Sequence, residues 1–124
     1  YLANSLLVKG IDSHDVSDVF SKFAKQDFTH ARKLAERIVD LDGTPELMPQ
    51  HLVNNASIET PPLTHHAAKP MLQDALAHEL QAVIEYKNQV QGIAFDDPAT
   101  RLLLEEILVD KERQAHEIRT LAGA

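Results

Sequence analysis

Apolar residues recur at intervals of three and four across residues 13–42, and no other feature restricts the fold of this chain so strongly. Val16, Val19, Phe20, Phe23, Ala24, Ala31, Leu34, Ile38 and Leu41 keep that spacing, which makes one face of an α-helix apolar. Ser13 is positioned to cap the first turn, with Asp15 near the positive helix end. Gly43, Thr44 and Pro45 supply the stop, because glycine tolerates a left-handed exit and proline cannot continue a helix. At ~1.5 Å per residue such a helix spans about 45 Å. That is long for a small globular domain and ordinary for a helical bundle.

Two more segments follow the same rule. Residues 70–95 carry Leu72, Ala75, Leu76, Val83, Tyr86, Val90 and Ile93, and residues 98–121 carry Leu103, Leu104, Ile107, Ile118 and Leu121. Asp97 and Pro98 punctuate between them, Asp97 as a cap and Pro98 at the first helical position. Residues 44–67 break the periodicity, with Pro45, Pro49, Pro61 and Pro62 around Asn54 and Asn55. A structureless stretch of that length needs a job, and a crossover joining two parallel helices along a bundle is one. Residues 1–9 read as the end of a helix that begins upstream. The expectation is one all-α domain over residues 1–124, a four-helix bundle with an incomplete first helix and a long crossover between the second and third helices.

Composition removes several classes of function. The 124 residues carry a net charge of −7, with 19 Asp and Glu against 12 Lys and Arg and no basic run, which argues against nucleic acid as a partner. Without cysteine there are no disulfides, thiolate metal sites, iron–sulfur ligands or thiol nucleophiles. No apolar stretch approaches the ~20 residues of a membrane span, and no signal peptide is visible. A cytoplasmic location is expected. Any metal would be held by carboxylates and by the seven histidines.

The polar residues that helical phase sends inward carry the chemistry, each residue turning by about 100° from the last. The stripe of Phe20, Phe23, Leu34 and Ile38 is centred on Asp27, with His30 at its edge. The stripe of Leu72, Ala75, Tyr86 and Val90 is centred on Glu79, and that of Leu104, Ile107, Ile118 and Leu121 includes Lys111 and Gln114. All of these lie near the middles of their helices. A buried carboxylate must be paired, protonated or metal-bound. The three-residue spacing puts Asp27 and His30 on one face, from which both reach a single ion. Di-iron bundles use Glu-x-x-His on two helices and a lone Glu on two others, because carboxylates neutralise hard cations while imidazoles complete each ion.

The run Asp27-Phe28-Thr29-His30-Ala31-Arg32-Lys33-Leu34-Ala35-Glu36-Arg37-Ile38-Val39-Asp40-Leu41-Asp42-Gly43-Thr44-Pro45 resembles the second helix and following turn of bacterioferritin. Leu76-Ala77-His78-Glu79-Leu80 is similar to that family's third-helix segment around its metal-bridging Glu, and Ile107-Leu108-Val109-Asp110 to the lead-in of its second Glu-x-x-His. Tyr1 matches a first-helix Tyr of the family, which puts that helix's ligand Glu before the start of the chain. The resemblance implies a ferritin-like bundle, up-down-down-up, with non-haem iron as cofactor or cargo and a homo-oligomeric or larger ferritin-like assembly. It implies Asp27, His30 and Glu79 as metal ligands.

The departures matter equally. Lys111 and Gln114 stand where the family's second motif has Glu and His, and Phe28 stands where the family has a haem-ligating Met, so no haem site follows. Two readings result. In the first, the chain binds Fe(II) at an impaired centre, with ferroxidase activity only if that centre works. In the second, Lys111 replaces one iron, ion-pairs with Asp27 or Glu79, and leaves an inactive subunit serving assembly or interaction. A phosphotransfer role for His30, followed by Arg32 and Lys33, would require His30 to be exposed. His65 and His66 read as surface residues, His14, His51, His78 and His116 as solvated or interface residues, and Tyr86 as core. Leu6, Leu7, Phe28, Leu80 and Ile84 lie off the stripes and are expected to meet other subunits.

Overall fold

Amphipathic periodicity becomes four helices in the computed structural model, which describes residues 1–10, 13–48, 67–93 and 95–123. These are α1 (Leu2–Leu7), α2 (Ser13–Asp40), α3 (Ala68–Gly92) and α4 (Pro98–Leu121). Most of the expected crossover, with Pro49, Asn54, Asn55, Pro61 and Pro62, and the histidines His51, His65 and His66, lies outside the described residues. Among the described residues there is no strand, only an isolated bridge between Lys9 and Ala67. No helix among them is long and apolar enough to cross a membrane.

The ends of the helices obey local chemistry, with two corrections. Asp97 caps α4 as expected, its carboxylate accepting from the Thr100 amide at 3.2 Å with Pro98 in the first turn. Ser13, expected as a cap, is itself the first residue of α2. At the other end of α2 the left-handed residue is Asp42 (φ 63°) rather than Gly43. The Gly43 amide donates to Ile38 O at 2.8 Å and the Asp42 amide to Val39 O at 2.9 Å, a Schellman closure. Gly43 is needed there for space, since a Cβ on it would fall 2.8 Å from Ile38 Cγ2 and 3.1 Å from Ile38 O.

Contacts between helices give their directions. Ser17 donates to Ser5 O at 2.6 Å, while Tyr1 stacks on Phe20 further along α2, so α1 and α2 are antiparallel. Lys22 pairs with Glu117, His30 with Asp110 and Arg37 with Asp97, so α2 and α4 are antiparallel. The short connection from Gly92 to Pro98 turns α3 back against α4. It follows that α2 and α3 run parallel, the arrangement a long crossover serves.

The core sits where all four helices meet. Val16, Phe20 and Phe23 from α2 pack on Met71, Leu72 and Ala75 from α3 and Ile118 from α4, with Tyr1 against them. The Tyr1 and Phe20 rings lie 5.6 Å apart, and Phe23 meets Tyr1 edge-on at 5.4 Å. The far parts of the stripes do not bury as expected: Ile38 is 40% exposed, Leu41 54% and Leu121 39%, and Ala31 is exposed too.

Candidate functional site

Immediately beyond the aromatic layer, three helices send polar side chains to one point. The Lys111 Nζ lies 2.7 Å from Asp27 Oδ1 on α2 and 3.4 Å from Glu79 Oε1 on α3, donating to both. It also donates to Gln114 Oε1 at 3.2 Å, one turn along its own helix. Gln114 in turn donates from Nε2 to Gln26 Oε1 at 2.9 Å and to Asp27 Oδ1 at 3.4 Å. The Tyr1 hydroxyl donates to Glu79 Oε1. Glu79 and Gln114 are fully buried, Lys111 nearly so, and Asp27 half-buried. The inward polar residues that helical phase identified therefore share one network.

His30 belongs to the flank of this cluster. It is only 5% exposed, which removes the exposed histidine a phosphotransfer role needs. Its Nε2 lies 2.8 Å from Asp110 Oδ2. A carboxylate only accepts, so this contact puts the ring proton on Nε2 and the lone pair of the neutral ring on Nδ1. Nδ1 lies 3.9 Å from Asp27 Oδ1, beyond hydrogen-bond reach, and among the described residues neither it nor Glu79 Oε2 has a hydrogen-bond partner. Asp110 and Gln26 are the members that helical phase did not single out. Asp110 lies off the inward stripe of α4, and it turns to His30 because α2 is the helix alongside.

The electrostatics follow from burial and from these pairings. Burial pulls the Lys111 ammonium toward neutrality, but the facing Glu79 and Asp27 outweigh it and raise the group above the ordinary lysine value of 10.5. The Tyr1 phenol is pushed far above its usual range, first by burial and then by the Glu79 carboxylate. Tyr86 rises by burial as well, with Lys111 pulling the other way. Lys111 is thus a fixed positive charge at neutral pH, held between two carboxylates.

That arrangement tests the expected iron centre directly. A pair of ferrous ions needs carboxylates and imidazoles around open positions, whereas here an ammonium holds both Asp27 and Glu79 and an amide occupies the remaining corner. The residues present do not fit two irons. Among the described residues no three His, Asp or Glu side chains form a group that could hold a metal ion. Of the other histidines, His14 and His116 are exposed and His78 is half-buried. Phe28, at the position of the family's haem ligand, is 74% exposed.

Similarity to known proteins agrees with the architecture. No curated protein matches the chain. Among solved structures, the dodecameric thioferritin of Bacteroides fragilis, a bacterioferritin-related protein, superimposes with a TM-score of 0.90 at 24% identity, over 95% of this chain and 70% of that one. A family model for the ferritin-like domain matches residues 1–124. By its bundle and by that match over its whole length, the chain belongs to the ferritin-like domain family.

Proposed function

We propose that this chain is a ferritin-like assembly subunit whose own iron centre is impaired, the Lys111 ammonium standing in for a metal ion between Asp27 and Glu79. The single observation that carries the reading is the pair of contacts from Lys111 Nζ, 2.7 Å to Asp27 and 3.4 Å to Glu79. Like charges ~4 Å apart repel by about 4 kcal/mol at an effective dielectric near 20, so iron entering beside this lysine is opposed by charge as well as by occupied ligands. Fe(II) oxidation is accordingly slow or absent. The role of the subunit is then to contribute to an oligomer. Exposed apolar side chains support this: Leu6, Leu7, Phe28, Leu80 and Ile84 all face outward.

A second reading keeps one iron per subunit as cargo, which requires Lys111 to swing away so that Asp27, His30 and Glu79 draw together around the ion. The observation that favours it is the pair of buried atoms without partners, His30 Nδ1 and Glu79 Oε2, each a lone-pair donor of the kind iron takes. Both readings answer to one experiment. Iron per subunit and oxygen consumption are measured for the unaltered chain and for Lys111→Glu/Gln114→His, which restores the family's motif. The double variant is expected to gain both. Two irons per subunit with rapid oxidation in the unaltered chain would overturn the impaired centre, and one iron bound tightly would favour the second reading. Sedimentation tests assembly, a strictly monomeric chain counting against it.

A further inference from the structure

On the outer side of the His30–Asp110 pair, α2 and α4 form an open cavity of about 230 Å³ lined by Lys22, Lys25, Gln26, Thr29, His30, Lys33 and Asp110. Three of the chain's seven lysines meet here, in a protein of net charge −7. They lie on one helical stripe, Lys25 three residues after Lys22 and Lys33 eight after Lys25, so Lys22 and Lys25 repel one another along the helix. Lys22 is neutralised by Glu117, with both carboxylate oxygens at 2.7 Å. Lys25 and Lys33 have no carboxylate partner among the described residues. The one carboxylate in the lining, Asp110, is already engaged by His30.

The floor of the cavity adds one donor fixed by another bond. Gln26 turns its amide oxygen to Gln114 Nε2, which leaves the Gln26 NH2 free to donate. The Thr29 hydroxyl spends its hydrogen on Lys25 O at 3.0 Å and supplies no donor to the cavity. The Nε2–H of His30 is shared with Asp110 at 2.8 Å. Uncompensated ammonium groups above a fixed amide donor suit an anion with several acceptor oxygens. A metal cation would meet repulsion from the lysines. With each water taking about 30 Å³, the space holds a tetrahedral oxyanion and part of its hydration shell.

From this placement we infer that the α2/α4 cavity binds an oxyanion of the phosphate class, held by Lys25 and Lys33 with Gln26 beneath. The site adjoins the Lys111 cluster and shares Gln26 and His30 with it, but Lys25 and Lys33 take no part in that cluster. The probes are inorganic phosphate and tripolyphosphate, each titrated calorimetrically into the unaltered chain. The same titrations are run on Lys25→Ala/Lys33→Ala and on Lys69→Ala/Lys87→Ala, whose lysines lie elsewhere. Saturable binding is expected, weakened about tenfold in the first variant and unchanged in the second, as loss of two exposed charge-assisted contacts predicts. The His30 ring signals in nuclear magnetic resonance should shift in the same titration. Dependence on Lys25 and Lys33 for phosphate identifies free phosphate as a ligand, and for tripolyphosphate alone a condensed phosphate; either outcome supports the site. No saturable binding of either probe, or binding that survives the Lys25→Ala/Lys33→Ala replacement, would overturn it. Lys25 and Lys33 are exposed, and unchanged helical circular dichroism in the variant confirms that a loss of binding comes from the site rather than from unfolding.

Discussion

Seven residues, about two helical turns, separate Phe20 from Asp27 on α2, and the layers they belong to obey opposite rules. Around Phe20, the rings and aliphatic chains of Tyr1, Phe23, Met71, Leu72 and Ile118 exclude water by filling space. Their stabilisation scales with area and volume and depends little on orientation. Around Asp27 the contacts are directional, and a charge or dipole is tolerable where another answers it: Lys111 for Asp27 and Glu79, Gln114 for Gln26, Tyr1 for Glu79. The apolar layer is vulnerable to lost volume. The polar layer is vulnerable to lost partners.

The strongest way to sharpen that contrast is to empty the apolar layer. Phe20→Ala removes a fully buried ring and is expected to cost ~4 kcal/mol in urea denaturation. A loss below ~1.5 kcal/mol would mean that the layer collapses around the gap and is less rigid than its packing implies.

Next is Lys111→Met, measured with chelator present. It keeps most of the volume but strands Asp27 and Glu79, and should cost ~3 kcal/mol. Adding Glu79→Leu is expected to recover most of that loss, because an apolar replacement of a buried pair is often neutral while half a pair is not. If the single variant is as stable as the unaltered chain, the polar layer does not depend on pairing.

Alkaline pH separates the layers without mutation. Lys111 is raised above 10.5 and Tyr1 and Tyr86 above 10.0 in the folded chain. In each case the unfolded chain releases its proton first as pH rises. Stability from these groups is complete below pH 10 and drains away above it, through the raised values. Each group adds up to about 1.4 kcal/mol per pH unit to the fall. Denaturation midpoints should be flat from neutral pH to that window, and Tyr1→Phe should make the alkaline decline shallower. An equal decline in Tyr1→Phe would show that the Tyr1 phenol ionises as readily when folded.

The smallest effect has the opposite sign and lies outside both layers. Asp42 takes a left-handed conformation at φ 63°, which Gly adopts at less cost. Asp42→Gly should stabilise by ~0.5 kcal/mol in the same denaturation assay, and a destabilised variant would show that the Asp42 side chain makes a compensating contact.

Helical phase alone was enough to identify Asp27, Glu79, Lys111 and Gln114 as inward and at one depth, because all four sit on long, regular helices. It could not show that His30 turns to Asp110, since a residue at the edge of a stripe takes its partner from whichever helix lies beside it. Nor could it show that Ile38 and Leu41 are exposed. Phase gives the direction of a side chain relative to its own axis, while burial also needs a neighbour at that height. Gly43 was legible as a stop but for the wrong reason: its amide closes the helix, and its missing side chain makes room for Ile38.

Glu79 and Lys111 both come from the α3–α4 hairpin, whereas Asp27 comes from the α1–α2 pair. During folding the lysine therefore has one of its acceptors as soon as its own hairpin forms, and gains the other only when the two halves dock. Sliding one half by a single helical turn, about 5.4 Å, would carry Asp27 away from a largely buried ammonium. Apolar ridges would accept such a slip, since one turn brings similar side chains back into register. The charge would not. The Lys111 triad thus acts as a key for the axial alignment of the two hairpins, because its contacts penalise misregistered docking.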